Sequence, residues 1–198
     1  MCAYAWDPDA YRRHSAAQET WGRELVVKLA LRGDERVLDI SSATLHWIPD
    51  TRAVLASIRR ALRPGGRVLL QMGGRGNAAG LIAALEEART DPRWRDGFDG
   101  FVFPWHFHGA EEYAQWMAQA GLRPRRVELV PRTMSNPDRA SFAGWITTAC
   151  LPYLERVPEP LRADFVDAAV DAYLRVRPAQ PDGAILTAMV RLEAEGDG

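Results

Sequence analysis

Lysine is nearly missing from this chain: Lys28 is the only one in a sequence of 198 residues that holds 25 basic side chains. No lysine therefore stands behind a glycine turn to meet a phosphate, as a Walker motif requires. An excess of either charge is also missing. The formal net charge is -1, so no basic footprint for nucleic acid or for an anionic membrane is present. Cysteine is scarce. Cys2 and Cys150 lack metal-ligand spacing and read as two free thiols in a reducing cytosol. No apolar run approaches the length of a membrane span, and Met1 to Trp6 has no basic stretch followed by an apolar one, so a cytoplasmic protein without a signal peptide is expected. Ser-His-Asp order, paired catalytic carboxylates and metal motifs do not rise above background.

What is present is a globular composition, 47% hydrophobic and 26% charged, with enough chain for one domain over residues 1–198 and a core of its own. Apolar spacing predicts a helix over Tyr11–Leu31, stopped by Gly33-Asp34. Arg36–Ile40 reads as a short buried parallel strand ending near an acid. Asp50 or Thr51 can cap a helix that runs to Leu62 and breaks at Arg63-Pro64-Gly65-Gly66. Arg67–Met72 is a second buried strand, followed by the glycine turn Gly73–Asn77 and a helix over Ala78–Arg89. Trp94–Phe107 is aromatic and irregular. A helix over Gly109–Ala120, a strand over Arg123–Pro131, helices over Ser141–Arg156 and Glu159–Arg175, and a last strand over Ala184–Glu195 complete the order. Strands alternating with helices predict an α/β layered domain with a mixed sheet.

Five features carry chemistry, each with a plainer reading beside it. Asp39 ends a strand where open α/β sheets place ligands, or it caps a helix. Gly73-Gly74-Arg75-Gly76-Asn77 mimics a phosphate turn, but its spacing is not G-x-G-x-x-G, so a tight turn fits better. His46-Trp47 sits in a strand-to-helix loop, as a general base with its partner or as a packed histidine. Phe101, Phe103, Trp105, His106, Phe107 and His108 form a pocket wall or a core segment; no third ligand type accompanies the histidines, so no metal is expected. Arg12, Arg132 and Arg139 could hold a substrate carboxylate or lie solvated.

Several stretches taken together resemble the trans-aconitate methyltransferase-like branch of class I, S-adenosylmethionine-dependent methyltransferases. They are Trp6-Asp7-Pro8 with Tyr11, Arg36–Asp39, Ser41–Trp47, Leu62–Gly66, Met72–Asn77, Phe103–Phe107 and the Trp145–Leu154 region. The resemblance implies a truncated Rossmann-like fold with a mixed sheet of about four strands flanked by helices. It implies methyl transfer from S-adenosylmethionine to a small metabolite, with a carboxylate as one option. His46 would stand at the methyl-transfer site. Trp6, Tyr11, Asp39, Ser41, Ser42, Ala43 and Trp47 would face the cofactor; Gly73, Gly74, Asn77, Trp105, His106 and Trp145 would face the substrate. Trp6, Tyr11, His14 and Gln18 would form a lid.

The departure from that pattern falls at one junction. In the family the first strand opens into a G-x-G-x-G loop, where missing side chains let the backbone approach the cofactor closely. Here Asp39-Ile40 runs directly into Ser41-Ser42-Ala43, which the family places after its fourth strand. On the order of 60 residues are absent, at about 30 per βα unit. Cofactor affinity is therefore expected to be weak or lost. The fused strand is expected beside Arg67–Met72, followed by the C-terminal strand, paired antiparallel, and then Arg123–Pro131. An apolar edge left open by the loss would recruit a second copy, giving a homodimer. A non-catalytic remnant that binds or dimerises is the alternative.

Overall fold

The computed structural model describes residues 9, 12, 13, 16–33, 37 and 44–198, the side chains of 16 and 17 excepted. Of the expected buried strand Arg36–Ile40 only Val37 is described, and it is exposed and in no strand; the rest of that strand and the junction at Ser41 lie outside the described residues. The chain divides into two compact units. One holds Gln18–Asn77, Pro104–Arg132 and Met189–Gly198; the other, in its described part, is built mainly from Ala78–Phe103 and Thr133–Ala188.

The first unit is a sheet with helices. Helix α1 spans Ala16–Leu29, α2 spans Thr51–Ala61, and strand β1 spans Arg67–Gly73. Asp50 is the cap of α2: its carboxylate accepts the Ala53 N–H at 2.9 Å. Thr51, Leu55 and Ile58 fall on one face of α2 and are buried. Helix α3, Ala79–Ala88, belongs to the second unit; in the first, α4 spans Ala110–Gln119 and buries Tyr113 and Met117, four residues apart. Strand β2 runs over Arg123–Asn136 and β3 over Ile185–Asp197.

The sheet order is β1-β3-β2, the order expected for these three strands. β1 and β3 are antiparallel, Arg67 opposite Asp197 and Gly73 opposite Arg191. Alternation along the strands sends Val68, Leu70, Met72, Leu192 and Ala194 into a core with Leu55, Ile58, Tyr113 and Met117. Each such large side chain, fully buried, contributes roughly 1.5–3 kcal/mol. The opposite face carries Gln71, Arg191 and Glu193, which are also buried. Strand β2 outruns its expected end at Pro131. A proline lacks only its own N–H, and β2 stands at an end of the sheet, where that loss is tolerated.

The second unit is mostly helical. It contains α3, then α5 over Arg139–Ala149, a single turn α6 over Leu151–Leu154, and α7 over Arg162–Val176. The single helix expected over Ser141–Arg156 is in fact broken at Cys150. Pro152 supplies no N–H to continue the ladder, and its ring crowds the carbonyl four residues earlier in a continuous helix. Phe142, Ile146, Tyr153, Phe165, Ala169 and Val170 are fully shielded from solvent. Tyr153 Oη donates to Glu86 Oε1 at 2.6 Å and Tyr173 Oη to the Leu186 carbonyl at 2.7 Å, which satisfies both buried hydroxyls. Cys150 is buried here, and burial pushes its thiol up to about 12.

Candidate functional site

The carboxyl end of β1 gathers most of the described candidates. His46 lies in a 3-10 turn, Leu45–Trp47, and its carbonyl accepts the His106 N–H at 2.7 Å. Its Nδ1 accepts the Gly73 N–H at 3.2 Å. Trp105 and Phe107 stack at 6.2 Å, Trp47 meets Trp105 edge-on at 5.5 Å, and the His46 ring stands 5.5 Å from Phe107. Trp105 is buried while Trp47 is 41% exposed, so the cluster has an open side. His46, Trp47, Gly73, Gly74, Asn77, Trp105 and His106 thus belong to one unit.

Burial holds the His46 imidazole down to about 4, so it is neutral at physiological pH. With Nδ1 accepting from the backbone, the proton resides on Nε2. That edge offers a donor. Abstraction of a proton by this ring would need the other tautomer and the loss of the Gly73 bond.

Beyond the turn, Arg75 N–H donates to the His108 carbonyl at 2.8 Å, and Gly74 pairs with His108 as an isolated parallel bridge. His108 Nε2 lies 3.0 Å from Thr51 Oγ1, and its Nδ1 lies 3.7 Å from Glu112 Oε1. That carboxylate also accepts from Gly109 N–H at 2.6 Å and from Arg75 at 2.9 Å. Thr51 is buried in the first turn of α2, so the array ties α2, the turn and α4 together instead of presenting a nucleophile.

The glycines of the turn test whether it could cradle a cofactor. A Cβ on Gly73 would stand 2.6 Å from Phe107 Cε1 and 2.8 Å from Asn77 Nδ2; one on Gly74 would stand 2.5 Å from Leu129 Cδ2. Gly76 adopts φ +85°, a turn requirement. Asn77 Oδ1 accepts the Val190 N–H at 3.0 Å. The space freed by these glycines is filled by the protein's own side chains. Among the described residues, this turn does not fit an adenosyl group.

The remaining candidates separate. Trp6, Tyr11, His14, Asp39, Ser41, Ser42 and Ala43 lie outside the described residues. Trp145 belongs to the helical unit, buried and stacked 6.2 Å from Phe142. Arg139 pairs with Asp167 and Asp171 on that unit's surface, and the exposed Arg12 lies 3.5 Å from Asp9. Arg132 reaches Glu24 at 3.3 Å. A cavity of about 330 Å³ between small residues of α5 and α7, among them Ala143, Gly144 and Ala163, had no sequence signal. Neither had the buried charges of the sheet's second face. Alternation in Met189–Glu195 marks Arg191 and Glu193 as sharing a face, but pattern alone assigns such a face to solvent. No group of three potential metal ligands occurs among the described residues, and no helix there is long and apolar enough to cross a membrane.

The described residues define an α/β fold with an aromatic wall at the end of its first described strand. Residues 4–70 match a family described as "Methyltransferase domain". The chain is 29% identical over 127 residues to malonyl-[acyl-carrier protein] O-methyltransferase of Hahella chejuensis, covering 62% of this chain and 42% of that protein. It is 25% identical over 164 residues to trans-aconitate 2-methyltransferase of Paracidovorax citrulli, covering 81% and 62%. It is also 25% identical over 133 residues to juvenile hormone acid O-methyltransferase of Drosophila melanogaster, covering 64% and 43%. A solved structure from Bacillus halodurans, described as a methyltransferase, aligns at a TM-score of 0.45 and 11% identity, covering 79% of this chain and 66% of the other. The chain spans about half the length of the curated relatives it matches. The family match takes in about a third of the chain, and with these relatives it makes the chain similar to methyltransferases.

Proposed function

We propose that this chain derives from a class I methyltransferase of the trans-aconitate-like branch by loss of the segment between Ile40 and Ser41. In this reading it keeps the acceptor wall and lacks a complete donor cradle. The reaction it descends from moves a methyl group from S-adenosylmethionine to a small metabolite, a carboxylate in particular. All three relatives named above are methyltransferases, and two carry acids in their names. Methyl transfer from a sulfonium asks mainly for alignment of nucleophile and methyl, so the neutral, backbone-bound His46 suits an orienting donor better than a base.

The observation that carries the reading is the occupied glycine turn. Phe107 and Leu129 stand where a replacement cradle would need space, so the turn does not compensate for the lost loop. The chain alone then binds S-adenosylmethionine at millimolar affinity or weaker, no better than about -4 kcal/mol. Calorimetry with S-adenosylhomocysteine tests this, and micromolar binding would overturn it.

A second reading, a non-catalytic partner, draws support from exposed apolar side chains. Val26 and Val27 on α1 are 59% and 77% exposed, and Leu31 and Val37 are also exposed. Such a patch suits association with a second copy or with an intact relative. In this reading the protein is a homodimer at micromolar concentration, and a monodisperse monomer in light scattering would refute it.

A further inference from the structure

The second face of the sheet unit carries a network of buried and half-buried charges. Glu193 on β3 is 1% exposed and receives three cations: Lys28 Nζ at 2.6 Å, Arg126 Nη2 at 2.9 Å and Arg191 Nη2 at 2.5 Å. Hydrogen bonds and charge from those groups outweigh its burial and hold its carboxyl down to about 2. Arg126 also pairs with Glu128 and lies 3.9 Å from Glu195, but Arg191, 4% exposed and too deep for solvent to balance, has only a share of Glu193 on the strands. The balance comes from Glu24 on α1. Its Oε2 lies 3.1 Å from Arg191 Nη2 and 3.3 Å from Arg132 Nη2, so arginines of two strands converge on one oxygen.

Two further observations mark this contact as replaceable. Arg191 Nε and Nη1 and Arg132 Nε are buried without hydrogen-bond partners, so Glu24 leaves donor capacity unused; Gln71 Oε1 on β1 and Glu193 Oε1 are buried acceptors that also lack one. Helix α1 is held to this face by polar contacts: Glu24, the Lys28–Glu193 pair, and Arg67 Nη2 on the Lys28 carbonyl at 2.7 Å. Its Val26 and Val27 point to solvent.

We infer that Arg132 and Arg191 form a carboxylate-binding site, for which Glu24 is a tethered occupant that an external monocarboxylate displaces, releasing α1. The paired guanidinium groups match a carboxylate through parallel N–H bonds, more of which a free ligand can take than Glu24 does on its helix. The neighbouring Glu193 charge disfavours a doubly charged phosphate. Glu24 is itself partly exposed, so a ligand's tail has a path to solvent. The site is independent of methyl transfer, and its failure would leave the proposed function untouched.

The test is a titration of the full chain with butyrate, whose four carbons match Glu24 from Cα to Cδ, followed by amide chemical shifts. Glu24→Gln removes the tethered competitor, so butyrate binds that variant at least tenfold more tightly than the wild type. Adding Arg132→Gln to it abolishes the gain. In the wild type, which requires no substitution to fold, saturating butyrate accelerates hydrogen exchange in α1 and leaves α2 unchanged. Equal affinity in wild type and Glu24→Gln, binding that survives Arg132→Gln, or unchanged exchange in α1 would each overturn the site. Inorganic phosphate bound as tightly as butyrate would overturn the carboxylate assignment.

Discussion

Replacing Glu193 with glutamine should change both how stable the sheet unit is and how that stability responds to acid. In the native protein the Glu193 carboxyl titrates at about 2, against an ordinary value of 4.5. A depressed native value contributes stability that is complete above the unfolded value and is lost as pH falls through the native one. The interval from 4.5 to 2 corresponds to roughly 3 kcal/mol, of which about 2 kcal/mol is gone by pH 3. Near neutrality Glu193→Gln leaves Lys28, Arg126 and Arg191 without their shared carboxylate, and Arg191 is buried. Removing one partner of such a group costs about 3–5 kcal/mol. Urea unfolding at pH 7 and at pH 3 reads both effects. The variant starts lower and loses about 2 kcal/mol less than the wild type between the two pH values. Parallel losses in the two proteins would refute the account, because the acid sensitivity would then reside in other carboxylates.

Three further outcomes follow from packing. Gly73→Ala drives a methyl into Phe107 and Asn77 and should cost about 1–3 kcal/mol in thermal or urea unfolding; a neutral substitution would show that the turn has space after all. Gly144→Ala removes a glycine from the interior of α5, so the melting temperature should rise with a gain of about 0.5–1 kcal/mol. Cys150, buried with its thiol pushed up to about 12, should stay unmodified by iodoacetamide in the native state at pH 8; peptide mass spectrometry after a timed quench checks this.

Much of the fold was legible because its elements are marked by local chemistry. Asp50 announces α2, Gly121 at φ +82° ends the segment after α4, and the apolar run from Val68 to Met72 can only be a buried strand. The extension of β2 past Pro131 was not legible, since tolerance of a proline depends on which strand lies at the sheet's end. The break at Cys150 was marked by Pro152, but the apolar spacing on either side masks it. At the candidate site His46, Trp47, Trp105 and His106, singled out in the sequence for separate roles, fall in one unit near the end of β1. The sequence could not give the His46 tautomer, which follows from a backbone N–H 27 residues away. Nor could it reveal Arg191 and Glu193 as buried, since alternation reports which residues share a face and not what covers that face.

The filled turn after β1 also bears on how a donor site could be rebuilt. Grafting a glycine loop ahead of Ser41 would restore the missing segment where the family carries it and leave the turn after β1 as it is. Phe107 already occupies the ground beside Gly73, and Leu129 occupies that beside Gly74. An engineer seeking methyl transfer from this scaffold would rebuild the loop at Ser41 and keep those two side chains, because the packed turn has no room to serve as a donor site.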